Sequence, residues 1–109
     1  MASTYKVLAQ SAPSATTNTD VYTVGSGKSA VVSTITVCNR AASAATYRIA
    51  IRVAGTTIAN EDYIAYDANV PANDTISLTI GITLAATDVV TVYASTANLS
   101  FNIFGAEIA

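Results

Sequence analysis

Arg48 and Arg52 stand four positions apart in TYRIAIRVAG, residues 46–55, in a chain with only 5 Lys+Arg among 109 residues. The apolar residues of this stretch, Tyr47, Ile49, Ile51 and Val53, fall on every second position. Period two predicts a strand with one core face and both arginines on the other. Side chains four apart on a strand lie roughly 13 Å from each other on one face. A single small carboxylate does not span that gap, whereas a neighbouring subunit presenting Glu61 and Asp62 does. Two readings stay open at this point. The arginines are the polar outer face of an antiparallel sheet packed on one side, or they are docking points between subunits. In the second case Arg48→Gln and Arg52→Gln leave the fold intact and weaken assembly.

Other chemistry is sparse. The segment VGSGKSA, residues 24–30, contains the Gly-Lys-Ser end of a phosphate loop. That loop needs a glycine where this chain has Tyr22, and a helix afterwards to offer its N-terminal amides. Residues 30–37 are rich in β-branched side chains and read as a strand, so Gly25-Ser26-Gly27 is expected to turn a hairpin. The chain contains no histidine, which removes Ser-His-Asp and Cys-His relays and the usual zinc sites. Its one cysteine, Cys38, lies in an apolar run and is expected to behave as a small hydrophobe. Glu61, Asp62 and Asp67 lack the oxygen spacing of a calcium loop and read as solvated loop acids rather than paired catalytic carboxylates. Two glycosylation triplets, at Asn73 and Asn98, read as chance because no secretion signal precedes them. No catalytic residue, metal or cofactor is expected, and the chain is not read as an enzyme. Among the six tyrosines, Tyr63 and Tyr66 sit beside the acidic tip and are the interface candidates.

Positioning these residues requires a frame. A chain of 109 residues makes one domain, spanning residues 1–109, and a domain of that size buries roughly 65% of its unfolded surface. Hydrophobic residues make up 51% of the chain and charged residues 11%, against a usual charged share of about 25%. Much of the exterior must therefore be Ala, Thr, Ser and Asn, a surface suited to being covered by neighbours. A net charge of −2 without a basic stripe argues against nucleic acid and anionic membranes as partners. No apolar run reaches the ~18 residues of a membrane span, so the chain is expected to stay in the cytosol unless something else carries it out.

The expected strands are residues 4–9, 20–24, 28–39, 46–53, 56–59, 63–66, 75–80, 89–95 and 99–104, several of them very short. Residues 11–19 (SAPSATTNT) form a loop or crossing arm. The 28–39 strand is long and β-branched, which suits a central place. Residues 60–62 make an acidic tip, and residues 67–74 a turn-rich connection in which Pro71 excludes a central strand. Ile76, Leu78 and Ile80 share one face, and residues 81–84 continue that strand past a bend. Residues 85–88 are expected to form a brief helical turn, and 89–95 with 99–104 a closing pair, with Leu99, Phe101 and Ile103 inward. About eight short strands at this spacing predict an all-β antiparallel sandwich, jelly-roll-like.

The segments YKVLAQSAPSATTNTDVYTV, SAVVSTITVCNRA, ATYRIAIRVAG, YIAYD and LAATDVVTVYASTANLSFNIFG resemble small virion structural proteins of tailed bacteriophages, of the head decoration or cement type. The likeness spans nearly the whole chain and rests on strand phrases rather than catalytic motifs. It implies a β-sandwich that assembles, commonly as a homotrimer, and binds the major capsid protein of the assembled head. Its location would be the virion, built in the host cytoplasm, and Arg48, Arg52, Glu61, Asp62, Tyr63 and Tyr66 would be its candidate subunit interface. Two further hypotheses remain: a tail or baseplate module that recognises host glycan through Tyr63 and Tyr66, and a subunit of a β-rich filament.

Overall fold

Alternation of buried and open side chains builds nine strands in the computed structural model, which describes residues 2–109. They are β1 (Ser3–Ser11), β2 (Thr19–Thr23), β3 (Ser29–Asn39), β4 (Ala45–Arg52), β5 (Tyr63–Val70), β6 (Thr75–Leu78), β7 (Ile82–Leu84), β8 (Val89–Ala94) and β9 (Leu99–Ile108). All pairings are antiparallel. One sheet runs β1-β9-β3-β6, with β7 also on β3, and the other runs β2-β8-β4-β5. The chain crosses between sheets after β1, β2, β3, β5, β7 and β8. That interleaving, with β6 and β7 acting as one broken strand, is the strand order of a jelly roll.

The core lies between the sheets. Tyr47 and Ile49 of β4 face Phe101 and Ile103 of β9, and all four are 3% exposed or less. The Tyr47 and Phe101 rings meet edge-on at 6.3 Å and 71°, a favoured aromatic geometry. Each large aliphatic or aromatic side chain buried here contributes roughly 1.5–3 kcal/mol. β3 takes the central position its β-branched run predicts, and Leu99, Phe101 and Ile103 point inward as alternation requires.

Several expectations fail, each for a physical reason. Gly25-Ser26-Gly27 does not turn a hairpin: β2 pairs with β8 and β3 with β9, so the turn carries the chain from one sheet to the other. The 89–95 and 99–104 segments are likewise in opposite sheets rather than a pair. Residues 56–59 are not a strand, while β5 runs on to Val70, taking in the first half of the expected 67–74 connection, and stops where Pro71 has no N–H to give. Residues 85–88 form a tight turn instead of a helical one. Asp88 N–H donates to Ala85 O at 3.1 Å, with Thr87 at φ 70°.

Two apolar positions leave the expected face. Val53 is 64% exposed because β4 ends at Arg52 and a 3-10 turn follows over Val53–Gly55. Ile80 is 49% exposed because the chain bends at Gly81, whose φ is +56°, a value that glycine reaches without strain.

Residues 12–18 connect β1 to β2 across the edge of the sandwich. Pro13 is buried, and Thr16 N–H donates to Ala94 O at 2.7 Å, so this crossing segment is tied to β8. Buried polar groups close the loops at the two ends. The Asn39 amide donates to Ser43 O at 2.8 Å, Val70 O at 3.2 Å and Pro71 O at 3.3 Å, and accepts from Ala41 N–H at 3.0 Å. The Asp88 carboxylate accepts from Ala54 N–H and Ala85 N–H, both at 2.9 Å.

Candidate functional site

The outer face of the β2-β8-β4-β5 sheet gathers most of the sequence-predicted residues. β4 lies between β8 and β5, so a long side chain leaving its outer face meets neighbours from both sides. Arg48 does so. Its Nε donates to Asp67 Oδ1 at 2.7 Å and its Nη2 to Asp67 Oδ2 at 3.4 Å, while its guanidinium carbon lies 4.3 Å from the ring centroids of both Tyr66 and Tyr93. The Asp67 hydrogen bond pushes the Arg48 guanidinium further up from its already high ordinary value. Tyr63 packs edge-on against Tyr66 at 4.9 Å and 82°, and Tyr66 is 58% exposed. The result is a part-exposed platform in which Arg48, clamped by Asp67, lies against Tyr66 and Tyr93, with Tyr63 packed on Tyr66.

Asp67 can reach Arg48 because β5 bulges. Its register against β4 shifts between Tyr47 and Ile49 and again between Ile49 and Ala50, and Asp67 itself sits at φ 50°. A bulge re-aims the side chain it carries. Tyr93 stands directly opposite Arg48 in the β4–β8 ladder.

Arg52 has a different setting. Its Nε donates to Thr56 O and its Nη2 to Gly55 O, both at 2.8 Å, and its Nη1 donates to Asp20 Oδ1 at 2.7 Å. The Thr91 hydroxyl also donates to Asp20 Oδ1 at 2.7 Å. The Thr91 hydrogen bond first, and then Arg52, hold the Asp20 carboxyl below its usual range. Arg52 thus braces the turn after β4 and ties it to β2. Its donors are directed within the chain.

The acidic tip is a 3-10 turn over Asn60–Asp62. Asp62 Oδ2 accepts from Ala59 N–H at 2.9 Å, while Glu61 is exposed. Arg48, Tyr63 and Tyr66 therefore form one cluster, and Arg52, Glu61 and Asp62 make none of its contacts. Asp20, Thr91 and Tyr93 complete these arrangements without having been singled out in the sequence, and Asp67, expected there to be a solvated loop acid, is instead the partner of Arg48 on β5. Alternation along VVTVYAS, with Val90 and Val92 inward, was the available signal for Thr91 and Tyr93.

The opposite outer face, on β1-β9-β3, carries a second feature. Tyr5, Val31, Phe104, Ala106 and Ile108 line an open apolar groove of about 520 Å³, and Tyr5 is 85% exposed. Beside it, facing the sandwich interior, Tyr22 Oη donates to Glu107 Oε2 at 2.6 Å and Lys6 Nζ lies 3.0 Å from Glu107 Oε1. Burial, then Glu107, pushes the Tyr22 hydroxyl well above its ordinary value. Tyr22, then Lys6, holds Glu107 below its own. Comparison with protein-family models, with curated proteins and with solved structures finds no match.

Proposed function

We propose that this chain is a structural protein of a bacteriophage particle, a decoration protein that docks on the major capsid protein of the assembled head. The observation that carries the proposal is the Arg48 platform. Tyrosine and arginine dominate the binding energy of protein interfaces. A guanidinium already fixed by Asp67 and two rings loses little freedom on docking, which keeps the entropic cost of association low. The weakly charged exterior supports contact by shape and polar groups rather than by long-range attraction. A jelly roll occurs in capsid and lectin domains alike and names no function by itself; the particle comes from the resemblance of the strand phrases.

Mechanism follows from mass action. A protein that binds the closed lattice and not its loose subunits stabilises the lattice by RT ln(1 + [L]/Kd) per site, about 2.7 kcal/mol at a hundredfold excess over Kd. No bond is made or broken.

The test is imaging of the particle encoded by the same genome, with and without this chain. Density on the head that disappears when the chain is deleted is the expected result. Density confined to the tail, with binding of the isolated protein to host cells that Tyr63→Ser and Tyr66→Ser abolish, overturns it in favour of a host-recognition module.

A further inference from the structure

The edge strand β1 presents an unguarded stretch of backbone. Ala109 N–H donates to Ala2 O at 2.9 Å and Ala2 N–H to Ala109 O at 3.3 Å, a reciprocal pair. Such pairs recur at every second residue of an antiparallel ladder. Thr4–Glu107 and Lys6–Gly105 are therefore the bonded pairs of the β1–β9 register. Ser3, Tyr5 and Val7, in between, turn their N–H and C=O groups away from β9. β1 pairs with β9 alone, so those groups line an open edge. Their side chains stand on the outer face, where Tyr5 is 85% and Val7 47% exposed.

Soluble proteins protect such edges with proline, charge, bulges or short strands. The other three edges of this sandwich are so protected. β6 and β7 are pieces of 4 and 3 residues parted by the bend at Gly81. β2 has 5 residues, a register shift between Asp20 and Tyr22 and a charge at Asp20. β5 carries two register shifts and ends against Pro71. β1 has 9 residues and no proline, its one register shift lies beyond Val7, and its one charge, Lys6, is neutralised by Glu107 at 3.0 Å.

We infer that β1 pairs with β1 of a second copy of this chain, antiparallel, about a two-fold axis at Tyr5. Among the chain's own edges β1 offers the longest regular stretch, Ser3 to Val7, as a partner for β1. The register is dictated as well. The ladder shifts between Val7 and Ala9, which leaves Ser3 to Val7 as the regular stretch, and its midpoint is Tyr5. In that register Tyr5 faces Tyr5 of the second copy, Ser3 faces Val7, and Lys6 faces Thr4, so no charge opposes its like. Each facing pair among Ser3, Tyr5 and Val7 exchanges two backbone hydrogen bonds. The tyrosine of the second copy comes within diagonal reach of the apolar groove. A two-fold pairing consumes both edges and closes, so it does not propagate into a filament. The inference is independent of the head-docking proposal, which uses the opposite face, and it replaces the trimer implied by resemblance with a dimer.

Sedimentation of the full chain tests it, together with cysteine cross-linking in a Cys38→Ala background. The wild-type chain should run as a dimer at micromolar concentration. Tyr5→Pro removes a donor that points at the open edge rather than at β9, and Tyr5→Lys sets two like charges face to face. Both should be monomers with the parent's circular dichroism and melting, and the lysine variant should regain dimer at high salt. Residues facing each other as a bonded pair have Cα atoms ~5.5 Å apart, within disulfide range. Tyr5→Cys should therefore oxidise to a covalent dimer, and Ser3→Cys, offset by four residues, should not. A wild-type monomer or trimer, a dimer that survives both Tyr5→Pro and Tyr5→Lys, or equal cross-linking of the two cysteine variants overturns the inference.

Discussion

Arg52 directs its donors to Gly55, Thr56 and Asp20, while Arg48 gives one edge to Asp67 and lies against the rings of Tyr66, which is exposed, and Tyr93. The two therefore differ in role, Arg52 bracing a turn and Arg48 standing among aromatic rings on the outer face. Arg52→Gln should lower unfolding stability by on the order of 1 kcal/mol in urea, through lost charged hydrogen bonds, while Arg48→Gln, which gives up the Asp67 pair and two ring contacts, should lower the melting temperature modestly and keep the fold. The spacing of the arginines was legible in TYRIAIRVAG, but their partners were not, since Asp20 and Asp67 lie 32 and 19 residues away and only the sheet brings them close. Titration has a predicted sign as well. Asp20 and Glu107 sit below ordinary values of 3.8 and 4.5, so the stability they contribute is complete above those values and is lost as pH falls through the lower folded ones. Tyr22 sits above its ordinary 10.0, so its contribution is complete below pH 10 and lost as pH rises beyond. Chemical denaturation across pH should show a plateau between these limits, and Tyr22→Phe should flatten the alkaline fall.

The strand elements owe their places to features of unequal visibility. Period two marks β3, β4 and β9 and their core faces from sequence alone, because a side chain's face depends only on its parity along the strand. It says nothing of which strand lies alongside. The Gly25–Gly27 turn and the 95–98 turn therefore read as hairpins when they are crossings between sheets. Gly105 shows how closely β9 and β3 approach: a Cβ there would collide with the Val31 carbonyl oxygen. Gly105→Ala should destabilise the protein by about 1–3 kcal/mol, measured by urea unfolding, as overpacking does. Asn39 closes the loop end of the sandwich with four hydrogen bonds to Ala41, Ser43, Val70 and Pro71. Asn39→Ala strands those backbone groups and should cost about 1–3 kcal/mol. An unchanged midpoint for either variant would show that the loops or strands relax around it.

At the scale of the whole molecule the jelly roll separates two surfaces by the thickness of its core. The β2-β8-β4-β5 face holds the Arg48 platform, and the opposite sheet holds the groove and the β1 edge. Composition pointed to a surface meant for covering, yet it could not say which parts, because bulges and the strand order decide where tyrosines gather. The dimer inferred through β1 would leave both platforms free, so that one copy could dock while its mate bridged to a second site. The most direct measurement is the rupture temperature of purified heads lacking this chain, titrated with the wild-type protein and with an Arg48→Gln, Tyr66→Ser variant. Saturable binding of the wild-type protein that raises the rupture temperature, with a folded variant that does neither, is the expected result. Heads that neither retain the wild-type protein on sedimentation nor change their rupture temperature at any concentration would contradict a role in decorating the head.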